Sequence, residues 1–334
     1  MEIAIATQEL LIRPALLDDV EAAVELFNTC DLADVGAAGF TVEDVRNEWV
    51  SPGFNPTTDI RIVTTPAGQM VGYLEVWDTV PHVRVWLWGC THPDYRGQGI
   101  GAQLVRWGEE RARQAIAKAP AGARVSMQIG ALSNNQAACD LFQAAGFTLV
   151  RRSYRMAIDL DAPPPAPQWP AGVTVRTFAP GVDDEATYLA MEEAFQDHWG
   201  YVRRPFEEGF ARWRHFSMDG DFDPSLWFLA IDGGQIAGIS LCRPYVYNDP
   251  AMGWVGTLGV RRPWRRRGLG MALLQHSFVE LYRRGQRRVG LGVDASSLTG
   301  ATRLYEKAGM RVIREYLTYE KELRAGQELS TQGL

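Results

Sequence analysis

The chain has 334 residues, of which 46% are apolar and 22% charged, and its formal net charge is −6. That length suits about two domains with buried cores, and the composition excludes a disordered or fibrous chain. An acidic total offers no whole-molecule field to draw in nucleic acid or an anionic membrane.

No apolar run approaches the ~18 residues that a membrane span needs, so no membrane partner is expected. The first residues carry Glu2 and Glu9 without a basic stretch, unlike a signal peptide. Cys30, Cys90, Cys139 and Cys242 lie far apart with no CxxC spacing. They are expected to be reduced thiols of a cytoplasmic protein, not a zinc ribbon or a disulfide framework.

In chain order, a strand Leu11-Ile12-Arg13-Pro14 leads into a helical pattern with Val20, Ala23, Val24 and Phe27 three and four apart. Residues 60–68 and 70–76 read as a hairpin, and 85–91 as a further strand. Then comes the turn Arg96, Gly97, Gln98, Gly99, Ile100, Gly101, followed by a helix through Leu104, Val105 and Ala112. A strand at 124–129 precedes Leu141-Phe142-Gln143-Ala144-Ala145-Gly146. Five prolines between Asp161 and Pro170 then remove backbone donors and favour an extended linker.

Beyond the prolines the same order repeats. Val173-Thr174-Val175-Arg176 is the strand, and Tyr188, Met191 and Phe195 mark the helix. Residues 227–232 and 236–241 flank an Asp-Gly-Gly turn, a strong hairpin signal. The strand 254–260 runs into Arg265, Arg266, Arg267, Gly268, Leu269, Gly270, and Leu304-Tyr305-Glu306-Lys307-Ala308-Gly309 closes the series. The expected organisation is a domain over 1–160, a linker over 161–171, a second domain over 172–324 and a frayed tail over 325–334.

Both glycine turns lie between a strand and a helix. Glycine lets the backbone come close to an anion. The first turn of a helix leaves about four amides unpaired, with roughly half a positive charge from the helix dipole. A phosphate or diphosphate fits there, with Arg96, Arg265 and Arg267 beside it. The plainer alternative is a helix start whose glycines only make a tight turn. A Walker loop is excluded because Ala102-Gln103 and Met271-Ala272 stand where Lys-Ser/Thr is required. A dinucleotide fingerprint lacks its acidic residue in 115–128, and Leu273 breaks it in the second copy.

These motifs resemble the GNAT superfamily of acyl-CoA-dependent N-acyltransferases. The likeness rests on Thr91-His-Pro-Asp-Tyr-Arg-Gly-Gln-Gly-Ile-Gly101, on Val260-Arg-Arg-Pro-Trp-Arg-Arg-Arg-Gly-Leu-Gly270, and on the two Leu-aromatic-x-x-x-Gly segments. The tandem layout is similar to that of mycothiol synthase-type two-domain members. The resemblance implies an α/β (α+β) fold of two tandem GNAT-like domains, each a mixed, mostly antiparallel sheet with helices on both faces. It implies acetyl-CoA as acyl donor and a small-molecule amine as acceptor. It also implies that strands 85–91 and 124–129, and 254–260 and 288–293, part where the pantetheine arm enters. Thr91 in one copy, and Leu258 and Val260 in the other, would then line the cofactor beside the turns, with a backbone N–H near Thr91 or Val260 facing the thioester oxygen.

The family's proton donor to the departing thiolate is the tyrosine of the Leu-Tyr pair. That position is Tyr305 in the second half and Phe142 in the first. A phenol stays protonated at neutral pH, so chemistry is expected in the C-terminal half. The asparagine that the family sets against the pantetheine is Asn135 in the first half, whereas Leu298 stands in the second. Catalysis in the first half with another donor therefore stays open. Deprotonating an amine at neutral pH needs a base, for which His198, Asp294, Asp249 and Glu75 are the candidates. Asp294 is equally suited to capping a turn, and His198-Trp199-Gly200-Tyr201 equally to packing a loop as to holding an acceptor. A half-degenerate acyl-CoA-binding protein is the competing reading. Nucleic-acid binding through Arg261–Arg267 is a third, set aside on the charge balance. Acceptor, acyl chain length and oligomeric state are not encoded in any motif.

Overall fold

The computed structural model describes residues 10–218, 220–246, 249–297 and 300–332. The chain divides into two compact units, one of residues 1–150 with 319–328 and one of residues 151–318 with 329–334. The break thus falls at 150/151, ahead of the proline-rich stretch and not within it.

Unit 1 carries β1 (Leu11–Pro14), α1 (Val20–Val35), α2 (Val42–Trp49), α3 (Pro56–Asp59), β2 (Ile60–Thr64), β3 (Met70–Asp78) and β4 (Arg84–Thr91). It continues with α4 (Ile100–Arg113), β5 (Val125–Leu132), α5 (Gln136–Ala144) and the start of β6 (Thr148–Asp159). Strands β1, β2, β3, β4 and β5 lie side by side in that order. All pair antiparallel except β4 with β5, which pair in parallel. Along β3 alternate residues face opposite layers. Tyr73 joins Val20, Phe27 and Trp49 of α1 and α2, while Gly72 meets Ile100 and Leu104 of α4. With both faces covered, β3 is buried from Met70 to Trp77 and reads as an apolar run interrupted by Glu75.

Unit 2 carries the rest of β6, then β7 (Val173–Thr177), α6 (Asp184–Phe195), α7 (Phe206–Ser217), β8 (Trp227–Asp232), β9 (Gln235–Arg243) and β10 (Met252–Val260). It ends with α8 (Leu269–Arg283), β11 (Arg288–Asp294), α9 (Ala301–Lys307) and the first part of β12 (Arg311–Arg324), whose residues from Tyr319 belong to unit 1. The strand order is β6, β11, β10, β9, β8, β7, and again one pair, β10 with β11, is parallel. Gly233 and Gly234, with φ of 56° and 78°, make the two-residue β8–β9 turn between the paired Asp232 and Gln235. Helix α8 buries Leu269, Leu273, Phe278 and Leu281 at helical spacing. Each is worth about 1.5–3 kcal/mol against exposure.

The expected linker packs on unit 2, where the Trp169 ring lies 5.7 Å from that of His276. The described part of the tail is held rather than frayed. Gln327 exchanges backbone bonds of 2.8 Å with Gly122 and Arg124 in unit 1. The Arg324 guanidinium donates to three carbonyls of the 116–123 stretch. Polarity alone suggested fraying, because polar side chains give no sign of main-chain pairing. No helix among the described residues is long and apolar enough to cross a membrane.

Candidate active sites at the two strand splits

In each unit the parallel pair comes apart. Strand β4 pairs with β5 only over Arg84–Leu87 against Ser126–Ile129, although both strands run on. Strand β10 pairs with β11 only over Met252–Val255 against Arg288–Leu291, and then continues to Val260. These are the pairs that the family resemblance implied. The ladder ends four residues before Thr91 and five before Val260, so each strand reaches its turn with one edge unpaired on that side.

The turns lie just beyond the split. Gly99 and Gly268 are the N-cap residues of α4 and α8, with φ of 82° and 84°. No side chain caps either helix and no acidic residue stands in either first turn. A Cβ built on Gly97, Gly99 or Gly268 would meet nothing within 4 Å. Helix α2, by contrast, is capped by the Thr41 side chain and has Glu43 and Asp44 in its first turn. Two uncapped, acid-free helix starts in open space suit the diphosphate of coenzyme A. Arg266 has φ of 61° at the position of Gly97, a left-handed conformation that costs an arginine about 1 kcal/mol and occurs where the turn must keep its shape.

Two residues after each N-cap, Gly101 lies against Leu141, and Gly270 against Leu304. Added Cβ atoms there would sit 3.0 Å and 3.3 Å from the two leucines and 3.9 Å and 3.7 Å from Thr91 and Val260. The fold therefore brings together the glycine turn, the strand end and the Leu-aromatic helix, which the sequence separates by tens of residues. Leu258, paired with Ser240 of β9, lies on the part of β10 beyond the split.

The turn arginines do something other than reach for phosphate. The Nε of Arg96 donates to the Thr91 carbonyl at 3.1 Å, and its other nitrogens hold Asp34 at 2.7 and 3.0 Å. Arg265 repeats this, with Nε on the Val260 carbonyl at 3.0 Å and Nη1 on Asp197 at 2.7 Å. Both fasten the turn to the segment near the end of the unit's first helix. In the basic cluster Arg261 pairs with Glu193, Arg262 with Asp197 and Arg267 with Asp232, which leaves Arg266 without an acidic partner among the described residues. The Gln98 side-chain amide likewise turns back, donating to the Asp94 carbonyl at 3.3 Å. The Asn135 side chain accepts from the Ala138 amide at 3.1 Å and caps α5. Leu298 lies outside the described residues.

Tyr305 is 7% exposed on α9, and burial pushes its hydroxyl up to about 12. That hydroxyl has no hydrogen-bond partner among the described residues. In unit 1 Phe142 holds the matching place on α5 and packs edge-on against Tyr319 at 5.7 Å.

His198 is half-buried after α6, its ring 4.5 Å from that of Phe195. Burial holds its pKa below the ordinary value, Asp294 opposes that shift, and the ring is neutral at pH 7. Asp294 ends β11, accepts three bonds of 2.7–3.0 Å from Arg151 and takes the Ser296 amide at 2.9 Å. Its carboxylate is thus committed to an ion pair and a turn. Asp249 accepts from Ala251 in the hairpin before β10, at the end of that strand away from the glycine turn.

Glu75 is walled in. It is 4% exposed, and its oxygens accept from the Tyr73 hydroxyl at 2.6 Å and from Trp77 Nε1 at 2.8 Å, while Trp49 Nε1 donates to Tyr73. Burial raises its pKa to about 7 against those two bonds. A folded state that keeps this proton while the unfolded chain releases it loses stability as pH rises from 4.5 to about 7, and no further above. Glu75→Gln should abolish that decline, on the order of 2–3 kcal/mol, in urea unfolding at pH 5 and 8. A variant with the same pH dependence as the parent would refute the assignment.

Comparison with known proteins agrees with this geometry. The Acetyltransferase (GNAT) family profile matches residues 188–310, and an Acetyltransferase (GNAT) domain profile matches residues 59–149. A mycothiol acetyltransferase of Streptomyces bingchenggensis is 32% identical over 275 residues, covering 79% of this chain and 81% of that protein. One from Thermobispora bispora is 33% identical over 65% of this chain and 70% of its own. A GCN5-related N-acetyltransferase from Sphaerobacter thermophilus superimposes with a TM-score of 0.78 at 40% identity, covering 97% of this chain and 98% of that one. A tandem GNAT protein of the clavulanic acid pathway shares the fold, with a TM-score of 0.69 at 17% identity over 96% of this chain and 100% of its own. The chain belongs to the GNAT family, as a tandem, mycothiol synthase-like acetyl-CoA-dependent N-acetyltransferase.

Proposed function

We propose that unit 2 carries the chemistry and that the acceptor is the primary amine of a small molecule, with a free-amine form of mycothiol the first to test. The observation that carries the choice of unit is the phenol of Tyr305, for which unit 1 has only Phe142. Two features support it. Strand β10 has a bulge between Val255 and Thr257, where its partner β11 lets go, while β4 pairs with β3 without a shift from Gly72 to Asp78. A bulge turns backbone groups out of the ladder, which suits a donor for charge developing on an oxygen. Counted back from the carbonyl that receives the turn arginine, Trp88 of unit 1 corresponds to Thr257. Trp88 is packed against Phe27 and Tyr73 at 4.9 and 5.8 Å, so unit 1 is filled where unit 2 has a small side chain.

Acetyl-CoA supplies an activated thioester, which an amine attacks with loss of the CoA thiolate. Tyr305 holds a proton at Oη for that thiolate. His198, neutral at pH 7, takes the proton that the ammonium form must lose. The amides at the start of α8 hold the diphosphate. Unit 1 keeps an open turn and binds acyl-CoA without turnover. A cytoplasmic setting, where thiols stay reduced, is part of this reading.

The test is incubation with acetyl-CoA and free-amine mycothiol, followed by mass spectrometry. The expected product is heavier by one acetyl group. Acetyl-CoA consumption by other amines, with no product from this one, would overturn the choice of acceptor but not the reaction class.

A further inference from the structure

The ten residues between α6 and α7 carry His198, Trp199 and Tyr201 and have no helix or strand of their own. Fixing an irregular backbone costs about 1–2 kcal/mol per residue, so a loop of this kind stays in place only if something fastens it. Turn bonds supply part of this, from His198 N to the Phe195 carbonyl at 2.9 Å and from Tyr201 N to the His198 carbonyl at 3.0 Å. Asp197 adds its ion pairs with Arg262 and Arg265, and further bonds come from a segment far away in sequence. Gly200 N donates to the Thr331 carbonyl at 2.6 Å, and Thr331 N donates to the Tyr201 carbonyl at 2.8 Å. The Thr331 hydroxyl donates to the Gln196 carbonyl at 3.0 Å. Trp199 Nε1 donates to Gln332 at 3.2 Å, and the Gln332 amide donates on to Ser330, which is buried. Behind the loop, Arg151 stacks 5.3 Å from the Trp199 ring while pairing with Asp294, and the Tyr201 hydroxyl donates to Glu192 at 2.8 Å.

We propose that residues 329–332 are a strap that positions the 196–201 loop for the amine, so that the acceptor site of unit 2 is incomplete without this segment. The strap touches main chain at Gln196, Gly200 and Tyr201, on both sides of His198, and the indole of Trp199 beside it. Loss of its bonds loosens residues 198–201 while Asp197 keeps its ion pairs with Arg262 and Arg265, so the glycine turn, α8 and Tyr305 are left in place. The strap is therefore a positioning segment, and its effect falls on the amine and not on acetyl-CoA. The link to the acceptor rests on unit 2 being the catalytic unit; the fastening itself does not.

Two variants test this, a chain ending at Glu328 and the point change Thr331→Pro, which removes the N–H given to Tyr201. With free-amine mycothiol, or whichever amine the parent acetylates, the amine KM should rise at least tenfold while the acetyl-CoA KM stays within twofold. Trypsin cleavage after Arg203 in the same loop should accelerate at least tenfold in both variants. Unchanged cleavage overturns the strap. Faster cleavage with both KM values rising together, or with neither rising, overturns its role in acceptor positioning. A parent that acetylates no amine, combined with faster cleavage in the variants, overturns the catalytic reading of unit 2 and with it the acceptor role, while the fastening stands.

Discussion

Tyr305→Phe is expected to lower kcat for acetyl transfer by about 10²–10⁴-fold while leaving acetyl-CoA affinity and thermal stability near those of the parent. The separation follows from the side chain's surroundings. The ring is part of the unit 2 core with Leu273, Phe278 and Met310, and phenylalanine keeps that packing. The hydroxyl has no partner among the described residues, so its removal leaves no buried group unsatisfied. What is lost is a proton available for the thiolate. Because burial puts the phenol at about 12, its ionisation does not shape the rate below pH 10. Any alkaline fall in that range belongs to another group. The acid limb should instead follow His198, whose pKa lies below the ordinary histidine value. Steady-state kinetics with calorimetry of acetyl-CoA binding decide the matter. Activity within twofold of the parent would move the chemistry away from Tyr305, with the glycine turn of unit 1 the next place to look.

Much of this fold was legible because its signals are local. A glycine pair in an Asp-Gly-Gly turn specifies a tight hairpin, and apolar spacing of three and four specifies the faces of α4 and α8. The resemblance carried by the repeated turns and the two Leu-aromatic-x-x-x-Gly segments implied a split between parallel strands, and the β4–β5 and β10–β11 ladders do end early. Other features depended on pairing across long stretches of chain. Nothing in Arg96 or Arg265 says that the guanidinium turns back to a carbonyl five residues earlier and to Asp34 or Asp197 instead of outward to a phosphate. The partner acids lie more than sixty residues away and carry no motif. Glu75 looked like a candidate base because a carboxylate in an apolar strand invites that reading. Its capture by Tyr73 and Trp77 on the same face is visible only once the strand is seen beneath α1 and α2. Residues 329–332 look like loose tail because main-chain bonds leave no trace in side-chain composition. Trp88 packs against Phe27 and Tyr73, while Trp86, two residues earlier on the same strand, is 38% exposed, a difference that their alternation in sequence does not reveal.

Asp197 should prove the most consequential acid of unit 2. Its side chain is 3% exposed and takes Arg262 and Arg265 together, the latter at 2.7 Å. It immediately precedes His198 in sequence, and both arginines belong to the turn that leads into α8, so one carboxylate fastens the 196–201 loop to the glycine turn of unit 2. The Arg262 bond, with Arg265 adding to it and burial opposing, holds its pKa at about 2, against 3.8 ordinarily. A folded pKa below the unfolded one gives stability that is complete above 3.8 and is lost as pH falls through about 2. Asp197→Asn should therefore cost about 2–3 kcal/mol at pH 7, and the gap between variant and parent should close between pH 4 and 2. Both acetyl-CoA and amine KM values should rise, in contrast to the selective effects of the strap variants and of Tyr305→Phe. The matching change in unit 1, Asp34→Asn, breaks an ion pair whose side chains are 25% and 35% exposed, and should cost less than about 1 kcal/mol. Urea unfolding at pH 7, 4 and 2.5 separates the outcomes. Equal losses for the two variants, or a gap for Asp197→Asn as large at pH 2.5 as at pH 7, would show that its charge does not hold loop and turn together.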